Sequence, residues 1–152
     1  MKTTITNFIL YRLVLFTVIA VVILLMAHAN ANAEEQPLWK LVVAEAANQG
    51  YEGMYAVTCV VRNRVQADMT IGLSAAHRRD LDRFVSAQPQ TVQDTARTIV
   101  DIVANGGGDT TNGALYFENI NAYGWPEWTK GKHIKVLKVI NDHTFFKEAS
   151  CS

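Results

Sequence analysis

Two apolar helical patterns joined by only a few residues, between Leu38 and Val65, constrain this chain more than any other feature. Leu38, Leu41 and Val42 stand at i, i+3 and i+4, one stripe of a short helix. Asn48-Gln49-Gly50 then offers a stop, and Tyr51-Glu52-Gly53 reads as a short connection. Met54, Val57, Thr58, Val61 and Val65 recur three or four apart in a second helix, with Arg62, Asn63 and Arg64 near its end. So short a join makes the two helices pack on one another, and the second, richer in apolar residues, is expected at the centre of the fold.

One residue is out of place in this pattern. Glu45 occupies i+7 of the first stripe, on the apolar face. Burial there penalises the charged form, which favours a carboxyl that keeps its proton near neutral pH, as a general acid requires. The alternative is a helix-edge Glu with a packed stem and a solvated head.

Upstream, Lys2 and Arg12 precede fourteen uncharged residues, Leu13 to Met26, followed by AHANANA with A-x-A patterns ending at Ala29, Ala31 and Ala33. A basic start, a short apolar core and small-residue cleavage sites describe a secretory signal peptide over residues 1–33, cleaved after Ala33. Its rival is an uncleaved membrane anchor, because counting back to Phe8 lengthens the apolar run to about what a bilayer needs. Residues 34–152 then form one small domain, exported to the periplasm or the extracellular envelope. They hold 12 Lys and Arg against 14 Asp and Glu, a net charge of about −2, which is no nucleic-acid footprint. Lys130, Lys132, Lys135, Lys138 and Lys147 nevertheless crowd the last quarter, either as a solvated face or as a landing strip for an anionic polymer. Cys59 reads first as a small buried hydrophobe, with a Cys59–Cys151 bridge as the alternative that an exported compartment permits.

Residues 66–90 are rich in charge (His77, Arg78, Arg79, Asp80, Asp82, Arg83) and predict a short exposed helix or a loop. Pro89 marks a boundary, and Thr91-Val92-Gln93-Asp94 resembles a capping box with Asp94 in place of Glu. Val92, Ala96, Ile99, Val100 and Val103 give a third amphipathic helix, ended by Asn105 and Gly106-Gly107-Gly108. The period then changes. ALYFEN (residues 114–119), HIKVLKVI (133–140) and HTFF (143–146) read as strands, the last two around an Asn141-Asp142 turn. Helices first and a small antiparallel sheet afterwards predict an α+β domain.

No H-E-x-x-H, short Cys/His spacing or G-x-S-x-G is present, so neither a metal nor any other cofactor is expected and a serine hydrolase is excluded. Cys59 paired with His143 would make a poor nucleophile, because a thiol in an apolar helix has a raised pKa and little access. Gly106 to Gly108 follows a helix and is no phosphate loop. The loop carrying Tyr123, Trp125 and Trp128 can hold sugar rings on its aromatic faces or cap the core. Glu52, Asp109 and Glu118 are the carboxylates that could act with Glu45, their separation deciding the hydrolytic geometry.

VVAEAANQGYEGMYAVTCVVRNRV resembles the opening of the SleB-type cell wall hydrolase domain, the spore cortex-lytic enzyme family. DTTNGALYFENINAYGWPEWTKGKHIKVLKVINDHTFFK is similar to the later blocks of that family, with Asp109, Thr111, Gly113 to Phe117, Pro126, Trp128, His143 and Phe145 on the motif positions. Together the two blocks cover most of residues 34–152. Three places depart from the pattern. The family's EARGE reads Glu45-Ala46-Ala47-Asn48-Gln49, Asp142 replaces the Asn before the His, and residues 66–90 show no counterpart of the family's middle motif.

The resemblance implies a lysozyme-like α+β fold and cleavage of peptidoglycan between N-acetylmuramic acid and N-acetylglucosamine, often as a lytic transglycosylase. Glu45 would be acid and then base, Tyr116, Trp125 and Trp128 would line the glycan groove, and His143 would orient groups in the cleft. A monomer is expected, with peptidoglycan as partner and contact with a membrane only through an uncleaved N-terminal segment. Two other readings stand beside this one. A phage-type endolysin would use the same chemistry while held at the membrane by residues 13–26. A non-catalytic wall-binding or envelope assembly protein would hold glycan with the Trp loop and the Lys cluster, leaving Glu45 structural.

Overall fold

In the computed structural model the described residues are 36–149. The signal or anchor segment expected over residues 1–33 and the bridging partner Cys151 lie outside them. The chain begins with α1 (Leu38–Ala46), in which Leu41, Val42, Val43 and Ala46 are buried. A single 3-10 turn, Ala47–Gln49, leads into α2 (Gly50–Gln66). Tyr51-Glu52-Gly53 is therefore the first turn of α2 and not a connection. Gly53 explains why the turn can be so tight: a Cβ there would collide with the Gln49 side chain. α2 buries Met54 and every residue from Ala56 to Val61, as a central helix must.

The charged segment contains a 3-10 turn at Ser74–His77 and a short helix α3 (Leu81–Ser86), whose Leu81 and Val85 are buried while its charges stay at the surface. α4 (Gln90–Ala104) follows, burying Ala96, Ile99 and Val103. It starts on Pro89, whose lack of an N–H costs nothing at a helix end. The expected capping box does not form. Asp94 instead accepts hydrogen bonds from Gln90 (2.9 Å) and Arg97 (2.7 Å) within the helix. α1, α2 and α4 pack on one another around a core that also takes in Ala114, Ile140 and Phe145 from the second half.

Three strands make one antiparallel sheet: β1 (Tyr116–Glu118), β2 (Ile134–Ile140) and β3 (His143–Glu148), in the order β1-β3-β2. Tyr116 lies opposite Phe146, Phe117 opposite Phe145 and Glu118 opposite Thr144. The β2–β3 hairpin turns at Asn141-Asp142 as expected, with Asn141 at φ +51°, and its register shifts between Val136 and Lys138. Between β1 and β2 the aromatic loop is wound into a one-turn helix, α5 (Ile120–Tyr123), and a 3-10 turn at Glu127–Thr129. The domain is α+β, with helices first and the sheet last.

Candidate active site

Two polar knots join the sheet to the helices. Asp109 accepts hydrogen bonds from the Thr111 N–H (2.7 Å), the Thr111 hydroxyl (2.7 Å) and the Gly113 N–H (2.6 Å). Asn63 of α2 reaches the same knot, its Nδ2 lying 3.1 Å from Asp109, 3.3 Å from Thr111 and 3.1 Å from the Ala114 carbonyl. Burial works against the Asp109 charge, but these hydrogen bonds outweigh it and hold its carboxyl below the usual range. The Asp-x-Thr-x-Gly stretch is thus a device for launching β1 from the end of α2.

The second knot fixes the hairpin tip to the α1–α2 junction. Gln49 is buried; its amide donates to Asp142 (3.1 Å), accepts from the Asp142 N–H (3.1 Å), and its carbonyl accepts from Asn141 (2.7 Å). Gln49 and Asp142 are two of the positions that depart from the family pattern. They meet each other, an amide and an acid where the pattern has an acid and an amide.

Between the knots lies a cavity of about 500 Å³, into which Glu45, Arg64, Ser74, Tyr116, Glu118, Tyr123, Trp128, His143 and Phe146 all face. Glu45 is half-buried near the C-terminal end of α1. Its Oε1 accepts hydrogen bonds from the Ser74 hydroxyl (2.9 Å) and the Ala75 N–H (2.7 Å), and Oε2 receives none from the described residues. One oxygen is therefore anchored, which fixes the plane of the carboxyl group.

The aromatic side of the cavity is built on Phe146. Trp128 lies 4.6 Å from the Tyr116 ring and 6.0 Å from the Phe146 ring, and Tyr116 lies 5.8 Å from Phe146. Trp128 both covers Phe146 and lines the cavity. Trp125 meets Phe146 edge-on at 5.3 Å and is 45% exposed, beside the cavity and not in its wall. Tyr123, 81% exposed, stands at the mouth. Arg64, also in the cavity lining, lies over the Tyr116 ring at 5.4 Å while donating to the Thr70 (2.7 Å) and Leu115 (3.0 Å) carbonyls. Gly72 leaves space for that guanidinium, which a Cβ there would strike.

His143 is buried beside Phe117 (5.1 Å) and Phe145 (6.1 Å), and its Nδ1 has no partner among the described residues. Burial pushes its pKa below the ordinary 6.5, against the opposing pull of Glu118, Glu45 and Asp142. Burial thus favours the neutral ring, with both cavity carboxylates pulling the other way.

The three possible second carboxylates now separate. Asp109 is consumed by its knot, and Glu52 lines a different cavity together with Tyr51, Tyr55 and Lys138. Glu118 alone of the three shares the cavity with Glu45. Cys59 is buried in α2 with Sγ 3.7 Å from the Gly108 carbonyl, and burial raises its pKa, so it offers no nucleophile. Sequence reasoning did not find Ser74, Ala75 and Arg64. Their contacts with Glu45 and Tyr116 bridge dozens of residues and leave no local pattern.

A family model described as Cell Wall Hydrolase matches residues 48–146. No curated protein and no solved structure matches the chain. The matched span contains Gln49, Asn63, Asp109, Glu118, Trp128 and His143 and begins just beyond Glu45. With more than half of its residues matched, and with both sequence blocks folded around one cleft, the chain belongs to the SleB-type cell wall hydrolase family, whose substrate is peptidoglycan.

Proposed function

We propose that this protein cleaves peptidoglycan glycan strands between N-acetylmuramic acid and N-acetylglucosamine as a lytic transglycosylase, with Glu45 as acid and then base. The observation that carries the reading is the Glu45 carboxyl itself, anchored through one oxygen in a cavity walled by Tyr116 and Trp128. A sugar ring laid on that aromatic wall presents its glycosidic bond to the unanchored oxygen. Glu45 gives its proton to the glycosidic oxygen as the bond to the anomeric carbon breaks. The muramoyl 6-hydroxyl oxygen then bonds to the anomeric carbon, its proton passes to Glu45, and a 1,6-anhydro ring closes. Neutral His143 orients groups at the back of the cleft. Residues 1–33 direct export, so the reaction takes place in the envelope, and the enzyme acts as a monomer.

Digestion of purified peptidoglycan by the full chain and by Glu45→Gln, with products weighed by mass spectrometry, tests this. The expected result is 1,6-anhydro-muramoyl products, one water lighter than reducing-end products, with at least a ~100-fold loss of rate in Glu45→Gln. Full activity in a normally folded Glu45→Gln overturns the assignment. A wild type that binds sacculi and releases nothing returns Glu45 to a structural role.

A further inference from the structure

We infer that Glu118 is a catalytic carboxylate of the same cleft: its negative charge stabilises the positive charge that develops at the anomeric carbon as the glycosidic bond breaks. This rests on the cleavage reaction proposed above. Glu118 is the last residue of β1, and alternation along the strand puts it on the same face as Tyr116, the base of the aromatic wall. A ring held by Tyr116 and Trp128 thus has Glu118 at its edge, one strand step further along.

The carboxylate is held in place. Its Oε1 accepts a hydrogen bond from the Asn119 N–H at 2.9 Å, and the Asn119 side chain in turn accepts from the Ala122 N–H (3.0 Å), capping α5. Oε2 receives no hydrogen bond from the described residues. Glu118 and Glu45 therefore face one cavity from opposite halves of the fold, each with one oxygen tied down and one left over. A second feature marks the same place as polar. His143, nine-tenths buried, lines the cavity with an Nδ1 that has no partner among the described residues. No salt bridge among the described residues employs Glu118.

The division of labour is balanced. The proton that leaves Glu45 for the glycosidic oxygen is replaced by the one from the 6-hydroxyl. Electrons of the broken bond stay with the departing oxygen, and the new C–O bond comes from the 6-hydroxyl oxygen. Glu118 transfers no proton and forms no bond; it contributes field alone, strongest when the anomeric carbon is most positive.

Steady-state kinetics of the full chain on soluble glycan fragments test the assignment with Glu118→Gln, Glu118→Asp and Glu118→Asn. Glu118→Gln should lose about 100-fold in kcat with KM changed less than threefold, the products remaining 1,6-anhydro. Glu118→Asp and Glu118→Asn compare charge at equal length, which keeps the test valid if Glu118→Gln folds poorly; the Asp variant should exceed the Asn variant at least tenfold in kcat. A Glu118→Gln within twofold of wild type, a loss confined to KM, or equal Asp and Asn variants overturns the inference, while an inactive Glu45→Gln beside any of these leaves the cleavage reaction standing. An inactive wild type overturns both.

Discussion

Asp109 ties a single charge to the fold. Its folded-state pKa lies below the ordinary 3.8, so the unfolded chain takes up a proton first as the solution is acidified. The stability it contributes is fully present above about pH 4 and is lost as pH falls through the folded value. Asp109→Asn should lower stability by about 2 kcal/mol at pH 7, because its amide meets the Gly113 N–H donor to donor. The variant should also lose the steepest part of the acid slope below pH 4, measurable as urea midpoints across a pH series. Residues of this kind were partly legible in the sequence. Glu45 stood out as a carboxyl on an apolar stripe, a local signal, whereas Asp109, Thr111 and Gly113 stood out as a block only through the family resemblance. That Glu118 and not Glu52 or Asp109 shares the cavity with Glu45 was not legible. The choice depends on how β1 is set against α1, and nothing near residue 118 records that.

At the scale of elements, period and length sufficed where an element buries its own stripe. α1, α2 and α4 follow their patterns and Asn141 turns where the sequence placed a turn, whereas β2 forms with its Val136 and Val139 exposed. α3 has only Leu81 and Val85 to bury, too few for a periodic signal, and it forms because α1 covers them. The start of α2 was misplaced because Gly50 and Gly53 look like breakers, whereas Gly53 is required by close approach to Gln49. The joint between elements makes a sharper prediction. Gln49→Glu alone puts a second carboxylate against Asp142 and should cost about 1–3 kcal/mol, while Gln49→Glu with Asp142→Asn restores an acid–amide pair in reversed order. A double-mutant cycle from chemical denaturation should show the double variant more stable than Gln49→Glu by at least about 1 kcal/mol. Strict additivity would mean that the two positions are not coupled.

As a whole, the molecule carries Glu45 on a helical half and Tyr116, Trp128 and Glu118 on and beside a sheet half, all lining one cavity, and the two knots tie the halves together. The five lysines of the last quarter fall mainly on and beside the edge strand β2. Lys130 and Lys132 pair with Glu127 (2.6 Å) and Glu148 (3.0 Å), and the exposed Lys135 and Lys138 guard the open edge against pairing with another chain. The hydroxyl and N–H that anchor Glu45 have a different setting. Ser74 and Ala75 sit on a single 3-10 turn in the charged segment, held to the core by Leu73 and Ala75 alone while Ser74 and Ala76 are exposed. A short segment held by two buried side chains opens at a lower free energy than the long helices of the core. Heat should therefore disarm the enzyme before it melts it: lytic rate, followed with rising temperature, should fall several degrees below the midpoint seen by circular dichroism. Coincident curves would mean that the anchoring turn is as durable as the core. On this account the working temperature of the protein is set by one turn of loop and not by the helices that make up most of its mass.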